Sequence, residues 1–272
     1  MRVGATTYRE TLLSLLYPGN YTSVEALIPA VLATEEFLGL TPEQRPSIIW
    51  RTDGGFGSDA NLHWLINRHY HILAKGFSWK RAMAWARRVH DWVEVRPGQR
   101  WLAWAPEQLD LGRPTRIVIA RWLTPSGKWR YALYITTLFD LPLLTAIADL
   151  YDDRGGAEVE IGSDKIGLKI SHRCSQSILA QEALILLADL AHNLLAWFHR
   201  ELLIQTRFAT YGPKRIVQQL LCIPGELVFE GEVLVEVRLK QSHALAEPML
   251  DILARLWDED ETLLSVVKFE TE

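Results

Sequence analysis

Cysteine is nearly absent: 272 residues hold two, Cys174 and Cys222. Two thiols cannot frame a disulfide scaffold or a cysteine-rich zinc site. Long uninterrupted apolar runs are missing as well. The most apolar stretch, 178–197, is broken by Gln181, Glu182, Asp189, His192 and Asn193, so it reads as the buried helix of a soluble protein rather than a membrane span. Residues 1–17 set Arg2, Arg9 and Glu10 around a short apolar patch, which is not the order of a signal peptide. These gaps lead us to expect a cytoplasmic globular protein with no membrane partner. What is present agrees: 49% hydrophobic and 23% charged residues exclude a disordered chain or a collagen. The length is ample for a continuous core in one large domain or two small ones.

The formal charge of −4 hides an asymmetry. Between Arg68 and Arg100 lie eight Lys/Arg against two acids, whereas residues 225–272 carry twelve acids and four bases. A basic segment of this kind is the footprint of a nucleic-acid surface, although a solvated helix face gives the same run. The acidic end reads as solvated surface.

Along the chain, Thr22 and Glu25 form a capping box for a helix over 22–39, with Val24, Leu27, Ile28, Val31 and Leu32 at helical spacing. SIIWRT (47–52) reads as a buried strand that delivers Asp53 at its end. Gly54, Gly55 and Gly57 make a turn, and Ser58 or Asp59 caps the next helix. HYHILAK (69–75) returns as a strand, and Ser78 caps a basic helix, SWKRAMAWARRVH. From about 91 to 130 the texture turns β-rich, with VEV, RIVIARW and SGKWRYALYITTL as strands and SGK as a hairpin turn. Asp140 and Pro142 mark a helix start. A helix over 177–203 is expected to bury Leu184, Leu187, Ala191, Leu194, Phe198 and Leu202, followed by a hairpin at 226–239 and a helix at 244–257. This alternation argues for an α/β core.

Two carboxylates stand out. Asp53 ends a buried strand and is followed by glycines that admit close approach of backbone or ligand. Glu158 lies in YDDRGGAEVEIGSDK, where Tyr151, Arg154 and Glu158 share a face if the helix runs through Gly155–Gly156, and Lys165 falls two turns beyond Glu158. Hard oxygen ligands from a strand end and a helix are what Mg²⁺ needs to handle phosphates. The same pattern is also that of a turn residue and a surface ion pair.

The spacing Tyr151-x2-Arg154-x3-Glu158-x6-Lys165 resembles the signature of DDE transposases of bacterial insertion sequences. RTDGGFGSDANL (51–62) is similar to the segment around their second catalytic Asp, and GLKISHRCSQSILAQEALILLADLAHNLLAW to the helix after the signature. The resemblance covers roughly 17–220. It implies an RNase H-like α/β core over residues 1–215, a β-rich insertion at about 91–130 between the second and third acids, and a C-terminal hairpin and helix over 216–272. It also implies two Mg²⁺ or Mn²⁺ ions held by carboxylates, Asp53 and Glu158 among them. Metal-dependent cleavage and strand transfer at transposon ends would follow, with double-stranded DNA as partner, self-association on DNA, and a place on the bacterial nucleoid. Tyr151, Arg154 and Lys165 would contact DNA phosphates. Lys80, Arg81, Arg87 and Arg88 of the basic helix are further DNA-binding candidates.

One element of the pattern is missing. The first catalytic Asp belongs on an upstream core strand, yet residues 1–52 contain no Asp, only Glu10, Glu25, Glu35, Glu36 and Glu43. The chain therefore reads as the C-terminal part of a transposase, either truncated or completed by a separately encoded N-terminal portion. Missing strands would leave an unpaired sheet edge and expose the apolar face of the 177–203 helix. The competing readings are a non-catalytic DNA-binding or transposition-inhibiting remnant and a decayed product that does not fold.

Seven of the eleven Trp lie between 79 and 129, amid the basic segment. Each of them can pack the small insertion, and the resemblance implies that one stacks on a flipped base. Trp101, Trp104 and Trp122 are the candidates. His192 and His199 have no third ligand in register, and GGFG has neither the Lys-Ser/Thr of a phosphate loop nor a dinucleotide spacing.

Overall fold

The computed structural model describes residues 1–140, 144–152, 155–170, 176–258 and 267–270. The chain divides into two compact units, residues 1–3 with 15–156 and residues 4–14 with 157–272. An N-terminal hairpin, β1 (Arg2–Ala5) and β2 (Glu10–Ser14), gives most of its length to the second unit and is described there.

In the first unit, α1 (Ser23–Leu38) starts at the predicted capping box: Thr22 N–H donates to Glu25 at 2.8 Å and Glu25 N–H returns to the Thr22 hydroxyl at 3.4 Å. Gly39 stops it in the left-handed region at φ 60°. A tight helical turn (Pro42–Ser47) leads into β3 (Ile49–Thr52). Ser58 caps α2 (Asp59–Asn67), β4 (His71–Lys75) follows, and Ser78 caps α3 (Trp79–Ala86). Four strands come next: β5 (Val93–Arg96), β6 (Arg100–Trp104), β7 (Arg116–Leu123) and β8 (Trp129–Thr136). Gly127 turns the β7–β8 hairpin at φ 74°, at the expected SGK. A last helix, α4 (Leu144–Asp152), closes the unit; the predicted helix start at Pro142 lies outside the described residues.

All six strands from β3 to β8 join one mixed sheet in the order β3-β4-β8-β7-β6-β5, with β3 parallel to β4 and the other neighbours antiparallel. Period-two alternation sends Ile117, Ile119, Leu133 and Ile135 to one face, against Leu27 and Val31 of α1 and Leu62, Leu65 and Ile66 of α2. Val118, Ala120, Ala132 and Tyr134 go to the other face, against Ile147, Ala148 and Tyr151 of α4. Helices thus cover both faces of a mixed sheet, an arrangement consistent with an RNase H-like core. In the sequence, β6 was hidden inside a Trp- and Arg-rich stretch, because its alternation runs for only five residues.

The second unit contains α5 from Ala157 onward (the whole helix is Gly155–Gly167), α6 (Ile178–Phe198) with a wider π turn at His199–Leu203, and α7 (Pro213–Arg215) with a π turn at Ile216–Leu220. It ends with β9 (Gly225–Glu230), β10 (Val233–Lys240), α8 (Ala246–Asp258) and β11 (Val267–Glu270). The expected hairpin and closing helix are both present, and β11 adds a third strand to the sheet. Leu195, Leu203, Phe208, Ile216, Val237, Leu250 and Ile252 are among its core residues.

Helix α6 departs from expectation. Leu202 is buried, but Leu184, Leu187 and Leu194 are 44%, 62% and 58% exposed, and Leu186 and Leu190 join them. The inward side carries Asp189 and His192 instead, both below a tenth exposed. His192 bonds Asp164 of α5 at 3.0 Å through Nδ1 and the Arg9 carbonyl at 2.8 Å through Nε2. Asn193 exchanges two hydrogen bonds with the backbone of Thr11, at 2.8 and 2.9 Å, as a neighbouring strand would. Polar anchoring of the hairpin therefore takes the inner face and leaves the leucines outside. The Ile178–Leu203 run is long and apolar enough to cross a bilayer by length and composition.

Candidate active site

Asp53 follows the last residue of β3, and Lys75 ends the adjacent parallel strand β4. The C-terminal ends of parallel strands are where α/β sheets place their ligands. The turn after Asp53 is built by close approach. A side chain on Gly57 would put its first carbon 1.9 Å from the Lys75 carbonyl oxygen, so only glycine fits. Phe77 N–H donates to the Gly57 carbonyl at 2.9 Å, and the Lys75 methylenes lie along Gly54. This packing fixes the backbone that carries the carboxylate. The carboxylate itself accepts from Gly54 N–H at 2.6 Å and from the Tyr151 hydroxyl at 3.4 Å, both on Oδ1.

Tyr151 arrives on α4 and is 5% exposed, its ring tilted against Tyr134 at 4.7 Å. Arg100 of β6 donates to the Tyr134 hydroxyl at 3.0 Å and pairs with Asp152, the residue after Tyr151. Arg51 of β3 donates to the Leu150 carbonyl at 3.0 Å, a cation at the end of a helix. Lys75, Tyr134, Arg100 and Asp152 were missed in the sequence. Arg100 and Tyr134 are brought to α4 by the sheet, and they meet Tyr151 and its neighbour Asp152 there.

The carboxylates upstream of Asp53 are all committed elsewhere or stand on helices and turns. Glu10 pairs with Arg200 at 2.9 Å, Glu25 completes the capping box, and Glu36 and Glu43 are exposed on α1 and the following turn. Glu35 is 8% exposed and holds Arg45, Arg68 and the Tyr70 hydroxyl, the last at 2.5 Å. Burial pushes its pKa up. Hydrogen bonds from Arg68 and Tyr70 and the charges of both arginines outweigh that and hold it below the usual carboxylate range. Burial and the facing carboxylate push the Tyr70 phenol up to about 12. None of these acids lies on a strand of the six-stranded sheet.

Of the basic-helix candidates, Arg81 is bound to Asp59 through two bonds of 2.9 and 2.7 Å, and Arg88 is paired with Glu107. Lys80 and Arg87 are exposed. Among the tryptophan candidates, Trp104 is 43% exposed with the Arg116 guanidinium 4.5 Å from its ring. Trp101 belongs to a cluster in which Trp92, Trp101 and Trp129 surround Arg121 at 4.0, 5.5 and 5.1 Å. Trp122 lies across from Arg100 and Arg130 on the other face and packs on the α4 side. Trp129 was missed, although the sequence placed it beside the SGK turn.

Arg154 and the side chain of Glu158 lie outside the described residues. Backbone positions 158 and 165 stand two turns apart on the unbroken α5, and Lys165 is exposed. Among the described residues no group of three His, Cys, Asp or Glu side chains is placed to hold a metal ion. Asp53 is a hard oxygen donor of the right type, but alone it does not make a site for the divalent ions that DDE transposases generally use.

The family model described as the transposase DDE domain, group 1, matches residues 8–260, most of the chain. No curated protein matches it. A mixed sheet with helices on both faces, an aspartate in a glycine turn at its parallel edge, and this match over nearly the whole length lead to one conclusion: the chain belongs to the DDE transposase family.

Proposed function

We propose that this chain carries part of the catalytic apparatus of an insertion-sequence transposase, which cuts DNA at transposon ends and joins it to a target. The observation that carries the reading is Asp53 at the C-terminal end of the parallel β3–β4 pair, held on a turn that tolerates no side chain at Gly57. Asp53 and Glu158 are the acidic donors in this reading, for Mg²⁺ or Mn²⁺, and Arg154 and Lys165 contact the DNA backbone.

The remaining carboxylate, the first in the family's order, comes from outside the chain. Residues 1–52 hold no Asp, and Glu35 is already spent on two arginines and a tyrosine. Strand β3 bonds only to β4 among the described strands, and Ile49 on it is 45% exposed. An added strand would pair with that open edge and bring its own carboxylate beside Asp53. The uncovered leucine face of α6 supports a core that awaits further chain.

The test is nicking of a DNA duplex bearing transposon ends by the chain with and without an upstream-encoded strand segment, in Mg²⁺ or Mn²⁺. We expect cleavage only with both chains present, abolished by Asp53→Asn or by Glu158→Gln. A second reading, a non-catalytic DNA-binding remnant, draws on the absence of a three-ligand group among the described residues. It requires salt-sensitive DNA affinity that is lost on neutralising Lys80 and Arg87 and indifferent to Glu158→Gln. Arg81 and Arg88, already paired with acids, contribute less.

A further inference from the structure

We infer that Tyr151 is a positioning residue for Asp53, and that the β-rich segment holds it in place through Tyr134 and Arg100. The inference rests on the reading of Asp53 as a reacting carboxylate. Tyr151 is 5% exposed and packed among Leu73, Leu102, Val118, Tyr134 and Ile147, so its ring is fixed by the core. Its hydroxyl donates to Asp53 Oδ1 at 3.4 Å, beside the Gly54 N–H at 2.6 Å. Two donors on one oxygen set the plane of the carboxylate. A quarter-turn of the carboxylate carries that oxygen away from both donors.

A closed ring of contacts fixes the hydroxyl in turn. Tyr151 touches Tyr134 of β8 with ring centres 4.7 Å apart. The Tyr134 hydroxyl accepts from Arg100 Nη2 of β6 at 3.0 Å, and the same guanidinium binds Asp152 Oδ1 at 3.3 Å. Asp152 neighbours Tyr151 on α4, which closes the loop. Arg100 is only 12% exposed at its side chain, and its planar fork satisfies the phenol and the carboxylate together, which the point charge of a lysine does not. Strands β6 and β8 thereby bear on the geometry of Asp53 through Tyr151. A shift of β6 relative to α4 changes the Tyr151 hydroxyl position and the carboxylate with it.

Carbon-13 NMR of the aspartate carboxyl carbons tests this on the free chain, with the Asp53 resonance assigned by its loss in Asp53→Asn. Tyr151→Phe keeps the ring and its packing and removes only the hydroxyl. We expect it to move the Asp53 resonance, and Arg100→Gln and Arg100→Lys to move it less. Arg130→Gln, at an exposed position, leaves it in place. An Asp53 resonance unmoved by Tyr151→Phe overturns the positioning role, and one moved by Tyr151→Phe but by neither Arg100 variant overturns the clamp. In the two-chain cleavage assay Tyr151→Phe lowers kcat about tenfold with DNA affinity unchanged. Lost affinity with an unmoved resonance makes Tyr151 a DNA contact instead. Absence of cleavage by the wild-type chains sinks the transposase reading and leaves the NMR result to stand by itself.

Discussion

Two carboxylates in the first unit stand in opposite circumstances. Glu35 is buried beneath two arginines and a tyrosine hydroxyl, Arg45 from the turn before β3 and Arg68 and Tyr70 from the α2–β4 connection. Asp53 follows β3, an edge strand among the described ones, and accepts from a backbone amide in its own turn and from the Tyr151 phenol. Glu35 is ionised and satisfied, so its chemistry is exhausted by holding α1 to the start of β3 and β4. Asp53 stands instead at the end of a strand, on a turn that Gly57 keeps rigid, where the Gly54 amide and the Tyr151 hydroxyl orient it. A buried acid held by two guanidinium groups is structural, whereas one on a rigid turn at the end of a parallel strand stands where such sheets place ligands.

The sharpest break in this comparison is at the turn rather than the carboxylate. Gly57→Ala forces a carbon into the Lys75 carbonyl oxygen and must displace the β3–β4 ends. We expect a loss of roughly 3 kcal/mol or more in urea unfolding, the range of strongly disruptive substitutions. The placement of Asp53 thus depends on a backbone that cannot give.

Next comes Glu35→Gln, which keeps the volume and removes the charge, leaving Arg45 and Arg68 partly buried without their counter-ion. A destabilisation of about 3 kcal/mol follows, read as a lower urea midpoint with an unchanged slope. The unfolding transition itself excludes the decayed-product reading if it is cooperative.

A smaller effect lies on the alkaline side. The Tyr70 phenol is raised from its ordinary value to about 12 in the folded protein. Its contribution is complete below pH 10 and is lost as pH rises from 10 towards 12, a loss of up to roughly 2 kcal/mol. The same knot holds Glu35 below its ordinary value, so that contribution is complete above about pH 4.5 and fades as pH falls further. Tyr70→Phe should flatten the alkaline limb of a stability profile measured by denaturant midpoints. An alkaline step that survives the substitution assigns the loss to another group.

How far this contrast was legible in the sequence follows from the range of the interactions. Asp53 was visible because its setting is local: an apolar run, a carboxylate and three glycines within eleven residues, 47–57. The capping box at Thr22, the caps Ser58 and Ser78, and the turn at Gly127 were visible for the same reason. The partners of Glu35 are 10 to 35 residues away, and Arg100 reaches Asp152 across 52. Pairings at such distance follow from strand order, and strand order was not readable once β6 was missed. Helix α6 misled for a different reason. Its leucines promise burial, but the hairpin it holds is fixed by His192 and Asn193, and hydrogen-bonding side chains must face the backbone they bind.

The smallest expected change in stability is at Asp53 itself, and it draws the contrast most finely. Asp53→Asn is isosteric. The amide oxygen still accepts from the Gly54 N–H and the Tyr151 hydroxyl, both neutral donors. Neutral donors lose less than charged ones when an acceptor loses its charge. We therefore expect a shift within about 0.5 kcal/mol, some six-fold smaller than for Glu35→Gln, while divalent-ion-dependent cleavage is lost. A destabilisation equal to that of Glu35→Gln means that Asp53 is held as tightly as Glu35 by groups within the fold. In that case the carboxylate is a structural cap on the glycine turn, and the reacting acids of this unit must be sought elsewhere.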